Sequence, residues 1–200
     1  MPPSPDTVRE RYERLVAEVG PGVTVVAATK YVDVNAMAAL AEAGVTVVGE
    51  NRAQDLAAKH AAHGGAFRWH FIGHLQSRKA QTVNELCELC HSLDSLSAAR
   101  RLEIPALVQV NLAGEGSKSG VAPDELDAFL AVCPSEVVGL STMPPLADDP
   151  EASRPVFRRL RELLDAHGLA QLSMGTTQDY RVAVDEGATL VRVGAALFQG

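Results

Sequence analysis

Eight short apolar segments, separated by stretches with helical spacing, constrain the fold of this chain more than any other feature. Short continuous apolar runs are typical of strands buried on both faces, and their alternation with helices favours a parallel sheet. The predicted strands are residues 23–30, 45–48, 67–72, 89–93, 106–111, 137–142, 172–174 and 189–193. The predicted helices are residues 6–19, 35–43, 52–62, 76–86, 95–102, 123–132, a long helix ending near 167, and 179–186.

Eight strands that each lead into a helix match the parallel (β/α)8 barrel (TIM barrel), and 200 residues lie at the lower edge of its length range. An open doubly wound sheet is the alternative if residues 89–93 or 172–174 do not form a strand. The extra helix at residues 6–19, with Asp6 as its candidate cap, is expected to cover the barrel where the segment 195–200 is too short to close it. No linker divides the chain, so residues 1–200 are expected to form a single domain.

Composition and charge exclude several classes of function. A net charge of -7 and a pI near 5.3 argue against a nucleic-acid partner. No apolar run is long enough to cross a bilayer and no secretory signal is visible, so we expect no membrane partner and a cytoplasmic location. The three cysteines include a Cys87/Cys90 pair with CxxC spacing. No second pair accompanies it, so we predict buried or idle thiols and no metal site.

Polar residues gather where the predicted strands end, which in a barrel is a single mouth. They are Lys30, Glu50, Asn51, Gly73, His74, Asp94, Asn111, Met143, residues 175–177 and residues 194–195. Lys30 ends the first strand, where a buried ammonium is costly unless it reaches water or is used. Two interpretations therefore stay open for Lys30: a side chain that extends into solvent, or a desolvated amine that forms a Schiff base.

Two glycine turns follow the seventh and eighth strands. Gly175, Thr176 and Thr177 precede a predicted helix, and Gly194 and Ala195 follow the last strand. Turns in this position of a barrel often bind phosphate through backbone N–H groups, although glycine is also the ordinary choice for such turns. Arg192 lies between two apolar neighbours, and the pattern does not decide whether it points into the barrel or towards the helices.

Several motifs, in this order along the chain, resemble the YggS/PROSC family of pyridoxal-phosphate homeostasis proteins. The resemblance runs from about Val23 to the C-terminus. The motifs are Ala28-Thr29-Lys30, Gly49-Glu50-Asn51, Trp69 to Gln76, Asn111 with Lys118-Ser119-Gly120, Leu172 to Gly175, and Val191 to Gly194.

The resemblance implies a single barrel like the N-terminal domain of alanine racemase, with pyridoxal 5'-phosphate (PLP) as cofactor. It implies that Lys30 holds PLP as a Schiff base, that Arg192 faces the pyridine nitrogen, and that Asn51 belongs to the site. Its implied phosphate-binding residues are Gly175, Thr176, Thr177, Gly194 and Ala195. The implied function is PLP binding in vitamin B6 and amino-acid homeostasis, with PLP-dependent enzymes as possible recipients.

Little or no turnover is expected, and no residue is assigned as catalytic. A guanidinium does not readily give up a proton, so opposite Arg192 the ring nitrogen stays unprotonated and withdraws electrons poorly. Lys30 serves one face of the cofactor, and these 200 residues hold no second, β-rich domain such as alanine racemases use. An amino-acid racemase-like enzyme is the alternative function. We expect a monomer.

The sequence departs from the family pattern at positions 195 and 74. Ala195 replaces a usual threonine, which removes a phosphate hydroxyl and is expected to weaken PLP binding by about tenfold or more. His74 stands where the family usually has proline. We expect Tyr180 to cover the site and His70 to be a satisfied core residue, and we expect surface or loop positions for the remaining histidines, His60, His63, His91 and His167.

Overall fold

Eight strands pair in parallel, each with the next along the chain, and the last closes onto the first. This arrangement is seen in a computed structural model that describes residues 4–113 and 119–198. The strands are β1 (Thr24–Ala28), β2 (Val47–Glu50), β3 (Arg68–Phe71), β4 (Leu89–Leu93), β5 (Ala106–Gln109), β6 (Val137–Ser141), β7 (Gln171–Ser173) and β8 (Leu190–Val193). The predicted barrel is confirmed. The open-sheet alternative is wrong, because both of the weaker strands are present.

Helices follow the strands around the outside of the barrel. They are α1 (Pro5–Val19), α2 (Met37–Glu42), α3 (Ala53–His63), α4 (Ala80–Leu86), α5 (Leu96–Ala99), α6 (Leu126–Val132), α7 (Arg154–Ala166), α8 (Tyr180–Asp185) and α9 (Ala195–Phe198). Several begin later than predicted because a turn of 3-10 helix precedes them, as Val34–Ala36 precedes α2 and Pro123–Glu125 precedes α6.

The first strand is shorter than predicted, and Lys30 lies in a turn beyond it. The Thr29 N–H still reaches across to the Gly49 carbonyl at 3.0 Å, but the Thr29 carbonyl accepts from the Val32 N–H at 2.8 Å. That bond turns the chain away from the sheet. The second strand starts two residues later than predicted, because the Val45 N–H is bonded to Leu40 at the end of α2.

The apolar core forms two layers, one inside the barrel and one between the sheet and the helices. The interior cluster consists of Val26, Val47, Leu89, Leu107 and Leu190. In β8, Val191 and Val193 belong to the outer layer, whereas Leu190 belongs to the interior. Because side chains alternate along a strand, Arg192 points into the barrel with Leu190. This decides the orientation that the sequence left open.

The N-terminal helix lies against the end of the chain, as expected. Arg11 donates to the Leu197 carbonyl of α9 at 3.3 Å, and Glu18 accepts from Arg181 of α8 at 2.8 Å. The cap of α1 is Ser4, whose hydroxyl accepts from the Thr7 N–H at 3.2 Å, so the assignment of Asp6 as the cap was wrong.

The cysteines have the expected character, and burial raises the pKa of Cys87 to about 12 and that of Cys90 to about 11. Cys133 is half-buried. Within residues 4–113 and 119–198, no cluster of three or more His, Cys, Asp or Glu side chains could hold a metal ion. Across the same ranges, no helix has both the length and the apolar character that crossing a bilayer requires.

Gly73 is required by a close approach of two loops at the carboxyl end of the barrel. A Cβ atom at this position would lie 2.0 Å from the Asn51 carbonyl oxygen and 2.5 Å from its Cα. Both are backbone atoms, so a side chain at position 73 would have to push the β2 and β3 loops apart.

We predict that Gly73→Ala lowers the free energy of unfolding by roughly 2–3 kcal/mol, as overpacking a close contact does. Urea denaturation measures the change. Gly65→Ala is the matched control, because a Cβ at position 65 would meet no atom within 4 Å and the backbone there is not in the left-handed region. Equal effects of the two substitutions would contradict the loop contact as the cause.

Candidate functional site

The carboxyl ends of the strands open into a cavity of about 970 Å³. Seven of the eight residues predicted for cofactor binding line it: Lys30, Asn51, Thr176, Thr177, Arg192, Gly194 and Ala195. The eighth, Gly175, does not line the cavity but shapes the loop that does. Among the other residues expected at the mouth, Gly73 and Met143 also line the cavity.

Lys30 reaches the cavity from an exposed turn rather than from a desolvated pocket. Its Nζ lies 5.0 Å from the centre of the neighbouring Tyr31 ring, which is within the range of a cation–π contact. Tyr31 is itself 87% exposed. The amine is therefore accessible both to water and to a ligand in the cavity. The structure shows a side chain that reaches solvent and not a desolvated amine, and a Schiff base at Lys30 stays a prediction.

A buried ion pair fixes the backbone immediately before Lys30. Lys59 of α3 lies 2.6 Å from Glu50 Oε1 and donates to the Thr29 carbonyl at 2.7 Å. The Thr29 hydroxyl donates to the same Glu50 oxygen. Glu50 is 0% exposed and Lys59 4% exposed, so the charges are held out of water. The other oxygen of Glu50, Oε2, has no partner among the described residues.

This ion pair corrects one expectation and adds a residue that the sequence analysis missed. Glu50 was expected at the mouth, but it does not line the cavity, because it turns towards α3 and pairs with Lys59. A signal for Lys59 was available in the sequence. It follows Ala53 and Leu56 at intervals of three residues, on the face of α3 that is buried.

The loop after β7 is shaped by glycine and an aspartate. Gly175 has φ of +87°, and a Cβ there would lie 2.6 Å from the Ala183 side chain, so only glycine fits. The N–H and hydroxyl groups of Thr176 both donate to Asp179 Oδ1, at 2.7 and 3.0 Å. Asp179 is held in turn by the Ser153 hydroxyl at 2.8 Å. The polar groups of Thr176 therefore shape the loop and are already engaged.

Three residues that line the cavity have unpartnered backbone amide groups. Within the part of the chain that the structure describes, the N–H groups of Thr177, Gln178 and Ala195 have no hydrogen-bond partner. The Thr177 hydroxyl accepts from the Ala196 N–H at 3.2 Å, which joins the two turns, and its own hydrogen remains available. Unpartnered N–H donors in neighbouring turns are typical of an anion site. Gln178, which lines the cavity, was not predicted, because its contribution comes from the backbone and not from its side-chain type.

Arg192 is the buried cation of the cavity. Its NH1 donates to the Ser173 carbonyl at 2.9 Å and to the Ser173 hydroxyl. Its NH2 donates to the Thr142 carbonyl at 2.7 Å and lies 2.9 Å from Met143 Sδ. Nε–H is the donor of this guanidinium that has no acceptor among the described residues. Burial lowers the pKa of Arg192 to about 10, so the group remains charged at neutral pH.

Asn51 adds an amide to the cavity wall from the loop after β2. It is half-buried, and its side chain has no hydrogen-bond partner within the described ranges.

The other polar residues expected at the mouth lie outside the cavity. His74 pairs with Asp94 at 3.3 Å, and burial raises the pKa of that carboxyl. Asn111 does not line the cavity, and Lys118 lies outside the described residues.

Two further expectations were wrong. Tyr180 does not line the cavity, because as the first residue of α8 it faces α1 and its hydroxyl donates to Glu18. His91 is not a surface residue but is 2% exposed, because it belongs to the interior face of β4. His70, 3% exposed, is the satisfied core residue that the sequence predicts, with His91 as one of its partners at 3.0 Å.

Fold and site together define a class of protein: a (β/α)8 barrel whose mouth holds a lysine, a buried arginine and two turns with unpartnered N–H groups. The family model for the alanine racemase N-terminal domain matches residues 4–200. A pyridoxal phosphate homeostasis protein of Aquifex aeolicus is 36% identical over 96% of this chain and 94% of its own length. Another, of Pseudomonas aeruginosa, is 40% identical over 78% of this chain and 75% of its own.

Solved structures agree. PipY of Synechococcus elongatus, determined with PLP bound, superposes with a TM-score of 0.86 and 31% identity, over 96% of this chain and 99% of PipY. A lysine/ornithine decarboxylase of Vibrio vulnificus, at 14% identity and a TM-score of 0.73, shares the fold. The chain belongs to the YggS/PROSC family of pyridoxal phosphate homeostasis proteins, within the alanine racemase N-terminal domain family.

We predict that Lys59→Met destabilises the fold by about 3–5 kcal/mol, because it leaves the Glu50 carboxylate buried without its partner. Urea denaturation at neutral pH measures the loss. The double variant Lys59→Met/Glu50→Gln is the matched control, and it is expected to lose less than the single variant because no buried charge is then unpaired. A double variant that is no more stable than the single one would contradict this account.

Proposed function

We propose that this protein binds PLP at the mouth of its barrel and takes part in intracellular PLP and amino-acid homeostasis, with little or no turnover. The observation that carries the proposal is the cavity itself. Its wall combines the unpartnered N–H groups of Thr177, Gln178 and Ala195 with the Lys30 amine and the Arg192 guanidinium. The PLP-bound structure of PipY and the names of the curated relatives support the same cofactor.

Each functional group of PLP has a chemically suitable partner in the cavity. The phosphate matches the N–H groups of Thr177, Gln178 and Ala195, with the Thr177 hydroxyl as a further donor. The aldehyde matches the Lys30 amine, which forms the covalent link. The ring nitrogen, an acceptor, matches the Nε–H of Arg192, and the Asn51 amide is available for another polar group of the ring. Gly175 and Thr176 shape the phosphate loop, and Gly194 shapes the second turn.

Arg192 also explains why turnover is expected to be low. When bound, PLP supplies an electrophilic aldehyde joined to a ring that withdraws electrons, most strongly when its nitrogen is protonated. Arg192 holds its proton at neutral pH, since its pKa of about 10 lies well above that range. It therefore donates a hydrogen bond without transferring a proton, and the racemase alternative is not favoured.

We predict that Lys30→Ala abolishes the covalent attachment of PLP. Purified protein is incubated with PLP, reduced with borohydride and mapped by peptide mass spectrometry. The label is expected on Lys30 in the native chain and nowhere in the variant. Lys79→Ala, a lysine that does not line the cavity, is the control and is expected to retain the label on Lys30. A label at another lysine in the native chain would overturn the assignment.

The cellular role is tested with the same pair of variants. In a bacterial strain that lacks its own homologue, the native gene and Lys79→Ala are expected to restore normal PLP and amino-acid pools, and Lys30→Ala is not. A racemisation assay with alanine and serine accompanies the test. Robust turnover by the native protein, or rescue by Lys30→Ala, would count against a homeostatic PLP carrier.

We predict that Ala195→Thr tightens PLP binding by about tenfold, the effect of one added hydrogen bond to a charged group. Ala195 is exposed and lines the cavity beside the unpartnered N–H groups, so a hydroxyl there has room to reach the same anion. Equilibrium dialysis gives the dissociation constant. Ala61→Thr, at an exposed position on α3 outside the cavity, is expected to leave it unchanged, and an unchanged constant for Ala195→Thr would contradict the phosphate assignment.

A further inference from the structure

A chain of polar side chains runs through the interior of the barrel, hydrogen-bonded from Arg192 to His70 and continued by an ion-pair contact from His70 to Glu88. It starts at Arg192, whose NH1 donates to the Ser173 hydroxyl. The Ser173 oxygen lies 2.8 Å from His91 Nδ1, and His91 Nε2 lies 3.0 Å from His70 Nδ1. His70 Nε2 lies 3.3 Å from Glu88 Oε1. Ser173, His91 and His70 are 0%, 2% and 3% exposed, so water does not interrupt the chain.

The two ends of this chain lie at opposite ends of the barrel. Arg192 lines the cavity at the carboxyl ends of the strands. Glu88 immediately precedes β4 and pairs with Arg68, the first residue of β3, at 2.6 Å. Arg68, His70 and Glu88 line a second depression of about 330 Å³ at the amino ends of the strands. Arg192 at one end of the barrel is thus joined to Glu88 at the other end through Ser173, His91 and His70.

The hydrogen bonds between these side chains can be donated in only one direction, from Arg192 towards Glu88. Burial lowers the pKa of His70 to about 4 and that of His91 well below its usual value, so both rings are neutral at pH 7 and each carries one proton. The Glu88 carboxylate only accepts, so the His70 proton is on Nε2 and its Nδ1 accepts. The His91 proton is then on Nε2, and its Nδ1 must accept from the Ser173 hydroxyl.

This direction leaves the Ser173 lone pairs available to Arg192. If His91 carried its proton on Nδ1, that proton would point at the Ser173 oxygen, and the serine hydrogen would need another acceptor in the barrel interior. Arg192 and His91 would then both donate to that oxygen and occupy both of its lone pairs. An unpaired buried polar group is costly, so the direction of the chain bears on where the guanidinium sits.

We propose that Ser173, His91 and His70 are positioning residues that hold Arg192 towards the cofactor cavity, and that Glu88 at the far end of the barrel sets their direction of hydrogen bonding. Glu88 does not line the cofactor cavity. Any effect of Glu88 on cofactor binding therefore has to pass through His70, His91 and Ser173. The effect on PLP rests on the proposed function above, whereas the arrangement of protons does not.

The first experiment uses the cofactor-free protein and is independent of PLP. Two-bond proton–nitrogen correlation NMR distinguishes the two neutral histidine tautomers, and single histidine variants assign the signals. His70 and His91 are both expected as Nε2–H tautomers in the native chain. In Glu88→Gln, whose amide can donate as well as accept, His91 is expected to show both tautomers. A native Nδ1–H tautomer at His91, or an unchanged pattern in Glu88→Gln, would overturn the proposal.

The second experiment measures PLP binding by the same variants. Glu88→Gln is expected to weaken binding roughly three- to tenfold, the range typical of coupling through a side-chain network, and to shift the absorbance of the bound cofactor. Glu103→Gln is the control, because it removes an exposed carboxylate that takes no part in these hydrogen bonds. It is expected to change neither the affinity for PLP nor the absorbance. Glu88 is 42% exposed, so its substitution leaves the core intact.

The outcomes separate the two proposals. Native protein that shows the expected tautomers but binds no PLP would refute the proposed function and leave the proton arrangement standing. Native protein that binds PLP, with identical affinities and spectra for Glu88→Gln and Glu103→Gln, would refute the coupling between Glu88 and Arg192 alone.

Discussion

The structure depends on a guanidinium held inside a barrel by neutral oxygen atoms. Within the described residues, Arg192 forms no ion pair; instead Ser173 and Thr142 accept its hydrogen bonds. Removing a charge from water is costly unless its donors are satisfied, so the interior of the barrel around Arg192 has to be polar. Towards the amino ends of the strands, Val26, Leu89 and Leu107 form an apolar layer that shares the interior with the buried His70 and His91. The position of this cation thus separates the cavity at the carboxyl ends from a mostly packed interior.

The loops around the cavity combine a fixed backbone with accessible reactive groups. Lys59 and Glu50 hold the main chain at Thr29, yet the next residue, Lys30, is exposed. In the loop after β7, Asp179 accepts from the N–H of Thr176, and the N–H groups of the next two residues have no partner among the described residues. In both places a buried carboxylate, Glu50 or Asp179, forms hydrogen bonds with one residue, and the polar group of the following residue remains accessible. Such preorganisation lowers the entropic cost of binding a ligand.

The strand–helix alternation favoured the barrel, because short apolar runs and glycine turns report directly on local structure, but it left an open sheet as the alternative. The same pattern placed Lys30 and Thr177 at the mouth, since residues that follow strands converge there. It could not orient Arg192, whose neighbours are both apolar, because that depends on the pairing of β8 with β1 and β7. It also could not find Gln178, whose proposed contribution is a backbone amide. Nor could it find the buried histidines, because His70 and His91 come from different strands and reach Ser173 of β7 only after the barrel closes.

The exposure of Lys30 fits a protein that carries a cofactor better than one that uses it for repeated catalysis. A Schiff base forms and breaks by loss and gain of water, so a linkage that solvent reaches can be hydrolysed and its aldehyde released. A deeply buried lysine would retain the cofactor longer and, with its pKa lowered by desolvation, would serve better as a base. In the proposed function Arg192 acts in the same direction, since a charged donor that keeps its proton would leave the ring a weak electron sink. The positions of these two cations, one exposed to water and one inside the barrel, therefore support the proposal of release and low reactivity.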